Sequence, residues 1–268
     1  MDQPDSDQKR FRIDVAYDGR PYSGWQSQVS GDTIQDLIEA ALKSVCPAVM
    51  GVHGSGRTDA GVSAVGQVAH FDVPASWRMN SGEWQRALNS TLPKTIRIMS
   101  CSEASPEFHA RFSALEKEYH YRIATSDVMS PLLVGLAWHQ RKSPDFEVLG
   151  EVLALYEGTH DFRAFSANRN DGHDADRDAN RTVFLAEVTD SDDEVLLLRF
   201  RGNGFLYKMV RFLVGSAVYC MNGRISRAEM RRLLEGVASG EKAPFCAPPD
   251  GLSLVSVTYP EVFDHFSA

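Results

Sequence analysis

The chain has 268 residues, of which 43% are hydrophobic and 24% charged, a balance that excludes a largely disordered protein and suits one large or two modest domains. No apolar run approaches the roughly 20 residues of a membrane-spanning helix; the richest stretch, 210–221, is broken by Arg211, Gly215 and Ser216. The net charge of −8 argues against a surface that attracts phosphate everywhere and leaves room only for a local basic face.

In chain order, residues 1–9 are polar and acidic, without the apolar core of a signal peptide, and read as a flexible tail. Phe11, Ile13, Val15 and Tyr17 alternate with polar or small residues before an Asp18-Gly19 turn, which predicts a half-buried strand. Asp32 or Thr33 caps a helix whose apolar residues Ile34, Leu37, Ile38, Ala41, Leu42 and Val45 follow the 3.6-residue period until Pro47. A strand over 65–73, a short helix around Trp84 and Leu88, and a strand over 95–101 follow. The polar stretch 101–106 ends in proline and marks a domain boundary, giving an N-terminal domain of 10–105 and a C-terminal domain of 106–268.

Beyond it, Tyr119, Tyr121 and Ile123 alternate with Glu118, His120 and Arg122 in a strand over 117–125, and 145–157 is helical. Strands over 182–189 and 195–201 pair, a long helix runs from about Phe205 to Met221, and a short helix over 227–237 precedes a last strand over 252–259. Acids crowd into the tail and a loop from Asp171 to Glu194, whereas Arg201, Lys208, Arg211, Arg224, Arg227, Arg231 and Arg232 face only Glu229 between 201 and 232. The order of elements predicts an α+β fold of two units with largely antiparallel sheets rather than one doubly wound sheet. Cys46, Cys101, Cys220 and Cys246 are scattered without a C-x-x-C pair, so reduced thiols, no structural zinc and a cytoplasmic location are expected.

Residues 51–58, Gly-Val-His-Gly-Ser-Gly-Arg-Thr, fit the phosphate-loop spacing with Arg57 in the lysine position. Such a loop needs a helix after it so that the helix N-terminus faces the phosphate. Here Asp59 to Val68 contains Gly61, Gly66 and three valines and reads as strand, and arginine does not replace the compact ammonium of lysine. Two readings remain for Asp59. It is a turn aspartate bonded to its own backbone, with Arg57 in water, or the glycines let the backbone approach a ligand and Asp59 acts on it as nucleophile or base. Spacing alone leaves both open.

An ordered series of blocks resembles the tRNA pseudouridine synthases of the TruA type. It comprises Tyr17-Asp18-Gly19 with Tyr22-Ser23-Gly24-Trp25-Gln26; Gly56-Arg57-Thr58-Asp59-Ala60-Gly61 with Gly66-Gln67-Val68-Ala69-His70-Phe71; and 108–114 with Lys117, Tyr119 and Tyr121. His160-Asp161-Phe162, Met209-Val210-Arg211 with Val214-Gly215, and Pro248-Pro249 with Gly251, Leu252 and Leu254 complete it. Ser63 departs from the pattern, which usually has histidine there.

The resemblance implies a pseudouridine synthase fold with an active-site cleft between the two units, acting without cofactor or metal on uridines at positions 38, 39 and 40 of tRNA. It makes Asp59 the nucleophile, gives it Arg211 as the cation that keeps it charged in a dry pocket, and has Tyr119 stack the flipped-out uracil. Tyr121, on the same side of the strand, reads as core. Arg57 either fills the gap left in the RNA stack or clamps a phosphate. A homodimer in which one tRNA contacts both subunits is implied too. The alternatives are a catalytically silent RNA-binding module of the same fold and, third, a nucleotide hydrolase using 51–58.

Overall fold

The computed structural model describes residues 8–141, 145–168, 178–191, 195–236 and 240–263. Residues 1–7 of the expected tail, and 171–177 and 192–194 of the expected acidic loop, lie outside them; Gln8 and Lys9 already belong to the first strand. The chain divides into two units, one formed by residues up to Leu115 together with those from Leu254 onward, the other by Glu116–Ser253.

In the first unit, β1 (Gln8–Tyr17) buries Phe11, Ile13, Val15 and Tyr17, as its alternation predicts. It pairs antiparallel with β3 (Ser63–Pro74), placing Phe11 opposite Phe71 and Val15 opposite Gln67, and with β4 (Ile96–Ala104) on its other edge. The three-residue β2 (Val52–Gly54) joins β3, and β10 (Leu252–Thr258) lies along it as well. Helix α1 (Ile34–Val45) starts at Thr33, whose hydroxyl and Asp36 form a reciprocal capping box. Helix α2 (Ser81–Thr91) starts the same way with Asn80 and Glu83. Trp84 on α2 meets Phe71 edge-on at 5.1 Å, and Phe71 stacks on Phe11 at 5.6 Å, so the helix seals one face of the sheet with aromatic area.

The polar stretch at 101–106 does not end this unit. Strand β4 continues to Ala104, Arg10 donates to the carbonyls of Pro106 and Phe108 at 2.8 Å, and the Tyr259 hydroxyl donates to the Ala110 carbonyl at 2.6 Å. These bonds carry the first unit to Leu115, past the break expected at 105/106.

In the second unit, β5 (Glu116–Ala124), β9 (Val195–Gly202), β8 (Asn180–Ser191) and β7 (Gly158–Asp161) form an antiparallel series in that spatial order, with β6 (Trp138–His139) parallel to β5. Helix α3 (Phe146–Ala154) begins at Asp145, which accepts from the Val148 amide. Helix α4 (Met209–Met221) is buried over most of its length, with Arg211, Phe212, Tyr219 and Met221 half-buried, and is pinned by Tyr156, whose hydroxyl donates to the Leu213 carbonyl at 2.9 Å. Helix α5 (Arg227–Leu234) ends before the expected 237, which is not among the described residues. Expected from about Phe205, α4 starts four residues later because Lys208 adopts φ +60, a left-handed conformation that the helical period cannot reveal. Among the described residues no helix is long and apolar enough to cross a membrane.

Candidate active site

The segment after the glycine-rich run is a turn that enters β3 at Ser63, not a helix, so the phosphate-loop geometry does not form. Asp59, half-buried, sits in that turn, and Arg57 is exposed. The Asp59 carbonyl accepts from Val62 N at 3.1 Å, and Gly61, at φ +81, donates to the Tyr22 carbonyl at 3.3 Å. On the other side, Trp25 N donates to the Thr58 carbonyl at 3.1 Å. Gly24, at φ +92, passes so near that a Cβ there would lie 2.7 Å from the same oxygen. The glycines of the opening block thus let one backbone lie against another.

Ser63, which stands where the resemblance leads one to expect histidine, accepts from the Gly19 amide at 3.0 Å. Serine therefore ties the opening turn to the start of β3. Beneath the Asp59 turn, Tyr17, Ser55, Thr58 and Gln67 are all buried. Sequence reading missed them as a group. Tyr17 passed for core by its alternation and Gln67 for one letter of a block; the signal was a polar residue on a strand buried along most of its length.

Tyr119 and Arg211 belong to the second unit, Asp59 and Arg57 to the first. Tyr119, 8% exposed, meets Phe205 edge-on at 5.2 Å, whereas Tyr121 is wholly buried and donates to the Pro248 carbonyl at 2.9 Å. Burial raises the Tyr121 phenol far above its ordinary range, with the Arg211 charge opposing the rise. Tyr121 is therefore a core tyrosine. Arg211 occupies the first turn of α4, half-buried, and its Nε donates to the Ala247 carbonyl at 2.7 Å while Ala247 N donates back to the Arg211 carbonyl at 3.0 Å. Gly215, one turn on, makes room for this strap, since a Cβ there would fall 2.3 Å from the Phe245 carbonyl oxygen.

The basic stretch is less basic in space than in sequence. Arg201 pairs with Glu116, Arg227 with Glu151, and Arg232 with both Glu229 and Glu241, so carboxylates from outside 201–232 offset much of it. A second set of titratable groups lies along β3. His70, 1% exposed, accepts from Ala110 N at Nδ1 (3.2 Å), stacks on His53 at 5.1 Å and meets His109 edge-on at 4.6 Å. Burial first, then the charges of Arg10, His109 and His53, push its pKa down to about 3, so the ring is neutral near pH 7.

A family model described as tRNA pseudouridine synthase matches residues 14–113 and 152–260, which include Asp59 and Arg211. The tRNA pseudouridine synthase A of Akkermansia muciniphila is 44% identical over 254 residues, covering 94% of this chain and 96% of that protein. The tRNA pseudouridine synthase A 1 of Desulfotalea psychrophila is 39% identical over 91% of this chain and 97% of its own length. Among solved structures, a Cbf5–Nop10–Gar1 complex aligns at 15% identity and a TM-score of 0.35, over 91% of this chain and 48% of the matched chain. On the family match and these near full-length identities, the chain belongs to the tRNA pseudouridine synthase family.

Proposed function

We propose that the protein isomerises uridine to pseudouridine in tRNA, with Asp59 as its catalytic carboxylate, at positions 38, 39 and 40 of the anticodon arm. The observation that carries the reading is the Asp59 turn itself. It lies within the matched span of the family model and is held on both sides of Asp59 by backbone bonds to Tyr22 and Trp25 of the opening block. An ordinary surface turn needs no such support.

The reaction breaks the bond from uracil N1 to ribose C1′, turns the base, joins C5 to C1′ and moves the C5 proton to nitrogen. Atoms and electrons balance within the nucleotide, so the chemistry calls for no cofactor or redox partner. One carboxylate can attack C1′, add to the base or remove a ribose proton, and all three routes need it ionised. Arg211 is proposed as the cation that keeps Asp59 ionised. Arg211 is half-buried and its Nε is held by the Ala247 carbonyl, and a cation partly withdrawn from water draws a carboxylate. Tyr119 is proposed to stack the extruded uracil, and Arg57, exposed two residues before Asp59, to occupy the gap in the RNA stack or clamp a phosphate. A homodimer sharing one tRNA is part of the same reading.

The test is Asp59→Asn, assayed on unmodified tRNA with the product mapped for pseudouridine. Turnover is expected to disappear while tRNA binding persists, because phosphate contacts supply most of the affinity. Turnover within about tenfold of the parent would refute the assignment, since removing a nucleophile costs many powers of ten. Pseudouridine at positions other than 38–40 would refute the site preference alone.

A further inference from the structure

Directly behind the Asp59 turn, four buried polar side chains close on one another. Ser55 and Gln67 are wholly buried, Tyr17 is 4% exposed and Thr58 6%. Ser55 Oγ donates to Gln67 Oε1 at 2.6 Å, and Gln67 Nε2 donates to the Gly56 carbonyl at 3.0 Å. The hydroxyls of Tyr17 and Thr58 share a hydrogen bond of 2.8 Å. The links from β1 and β3 therefore converge on residues 55–58, immediately before Asp59.

Apolar side chains would fill this volume with no polar group to satisfy. Buried hydroxyls and amides are tolerated when each has a partner, and what a satisfied network adds is one fixed geometry. The contrast within this protein is Ser216 on α4, also wholly buried, whose hydroxyl has no hydrogen-bond partner. Burial raises the Tyr17 phenol to about 12, so its proton stays in place at neutral pH.

We propose that Tyr17, Thr58 and Gln67 are positioning residues for pseudouridine formation: their buried brace fixes the turn so that the Asp59 carboxylate is held at the reacting nucleotide. They touch neither substrate nor reacting atoms. The proposal rests on the assignment of catalysis to Asp59, and it extends the machinery to the back of the loop. Thr58→Val keeps the side-chain shape and removes the hydroxyl, Thr58→Ser keeps the hydroxyl, and Tyr17→Phe removes the other end of the same bond.

Full-length variants are compared by single-turnover rate on unmodified tRNA at saturating enzyme, by tRNA dissociation constant and by thermal melting, with Asp59→Asn alongside. Thr58→Val and Tyr17→Phe are each expected to be at least about tenfold slower, with tRNA affinity within about twofold of the parent, because small displacements of a reacting group cost rate rather than binding. Thr58→Ser should stay within about threefold of the parent rate. The double variant should be little slower than the slower single variant, since both remove one bond. A Thr58→Val rate within about twofold of the parent, or a rate loss matched by an equal affinity loss, overturns the proposal; if Thr58→Val does not fold, Tyr17→Phe is judged by the same two criteria. An inactive Asp59→Asn beside a full-rate Thr58→Val overturns the brace alone. An active Asp59→Asn overturns the catalytic assignment and the brace with it.

Discussion

Acidification is expected to destabilise the protein through His70, and the size of the effect follows from its surroundings. In the fold its pKa is about 3, against an ordinary 6.5 for the free side chain. Between those values the unfolded chain binds a proton that the folded chain refuses, so stability is whole above about pH 7 and falls as the pH drops toward the folded value. At about pH 5 the His70 contribution to this loss is about 2 kcal/mol, and it grows further on the way to pH 3. His109 moves in the same direction, chiefly through burial and then the charge of His53, and adds to the trend. Arg10 also disfavours protonation, and only Asp72 opposes it. His70→Asn isolates the one residue, because the asparagine oxygen can still accept from Ala110 N where Nδ1 now does. Urea denaturation near pH 7.5 and pH 5 should show the parent losing about 2 kcal/mol more than His70→Asn over that interval. An equal fall in both proteins would refute the reasoning, because the buried ring would then not be the group that resists the proton.

Two further outcomes bear on the site. Gly24→Ala should destabilise the fold by roughly 1–3 kcal/mol, the range for a side chain forced into left-handed backbone, and slow turnover as well, since its Cβ would press on the Thr58 carbonyl one residue before Asp59; melting and single-turnover rates check both, and an unchanged melting temperature contradicts the crowding. Tyr119→Phe should keep most activity and Tyr119→Ala lose it if the ring stacks on the uracil, whereas equal losses in a rate assay would point to the hydroxyl instead.

Local signals in the sequence were reliable where local physics decides the structure. The alternation of β1 and the cap of α1, left between Asp32 and Thr33 and taken by Thr33, concern neighbours within a few positions. Strands β2 and β7, of 3 and 4 residues, are too short for any period to show. The ion pairs of the basic stretch escaped for another reason: Arg201 finds its carboxylate 85 positions earlier, a distance at which charge patterning says nothing. The site divides in the same way. Asp59 and Arg57 stood out because they fall in one short ordered block, while spacing alone left both readings of Asp59 open. Tyr17 and Thr58 meet across 41 positions, and only the pairing of β1 with β3 brings them together.

The unit that holds Asp59 is discontinuous in the chain, with residues 116–253 forming the other unit in between. Its later part is no ornament: the Tyr259 ring packs on Phe108 at 5.0 Å and lies under the Arg12 guanidinium at 4.9 Å. During synthesis, the Asp59 turn leaves the ribosome early, yet the sheet that supports it waits for β10 until the intervening unit has been made. At ordinary elongation rates that delay is on the order of ten seconds. Through that interval the edge of β3 opposite β1 holds only the three-residue β2, and the second unit has time to fold first. The unit that holds Asp59 is thus completed only after the whole of the other unit has been made.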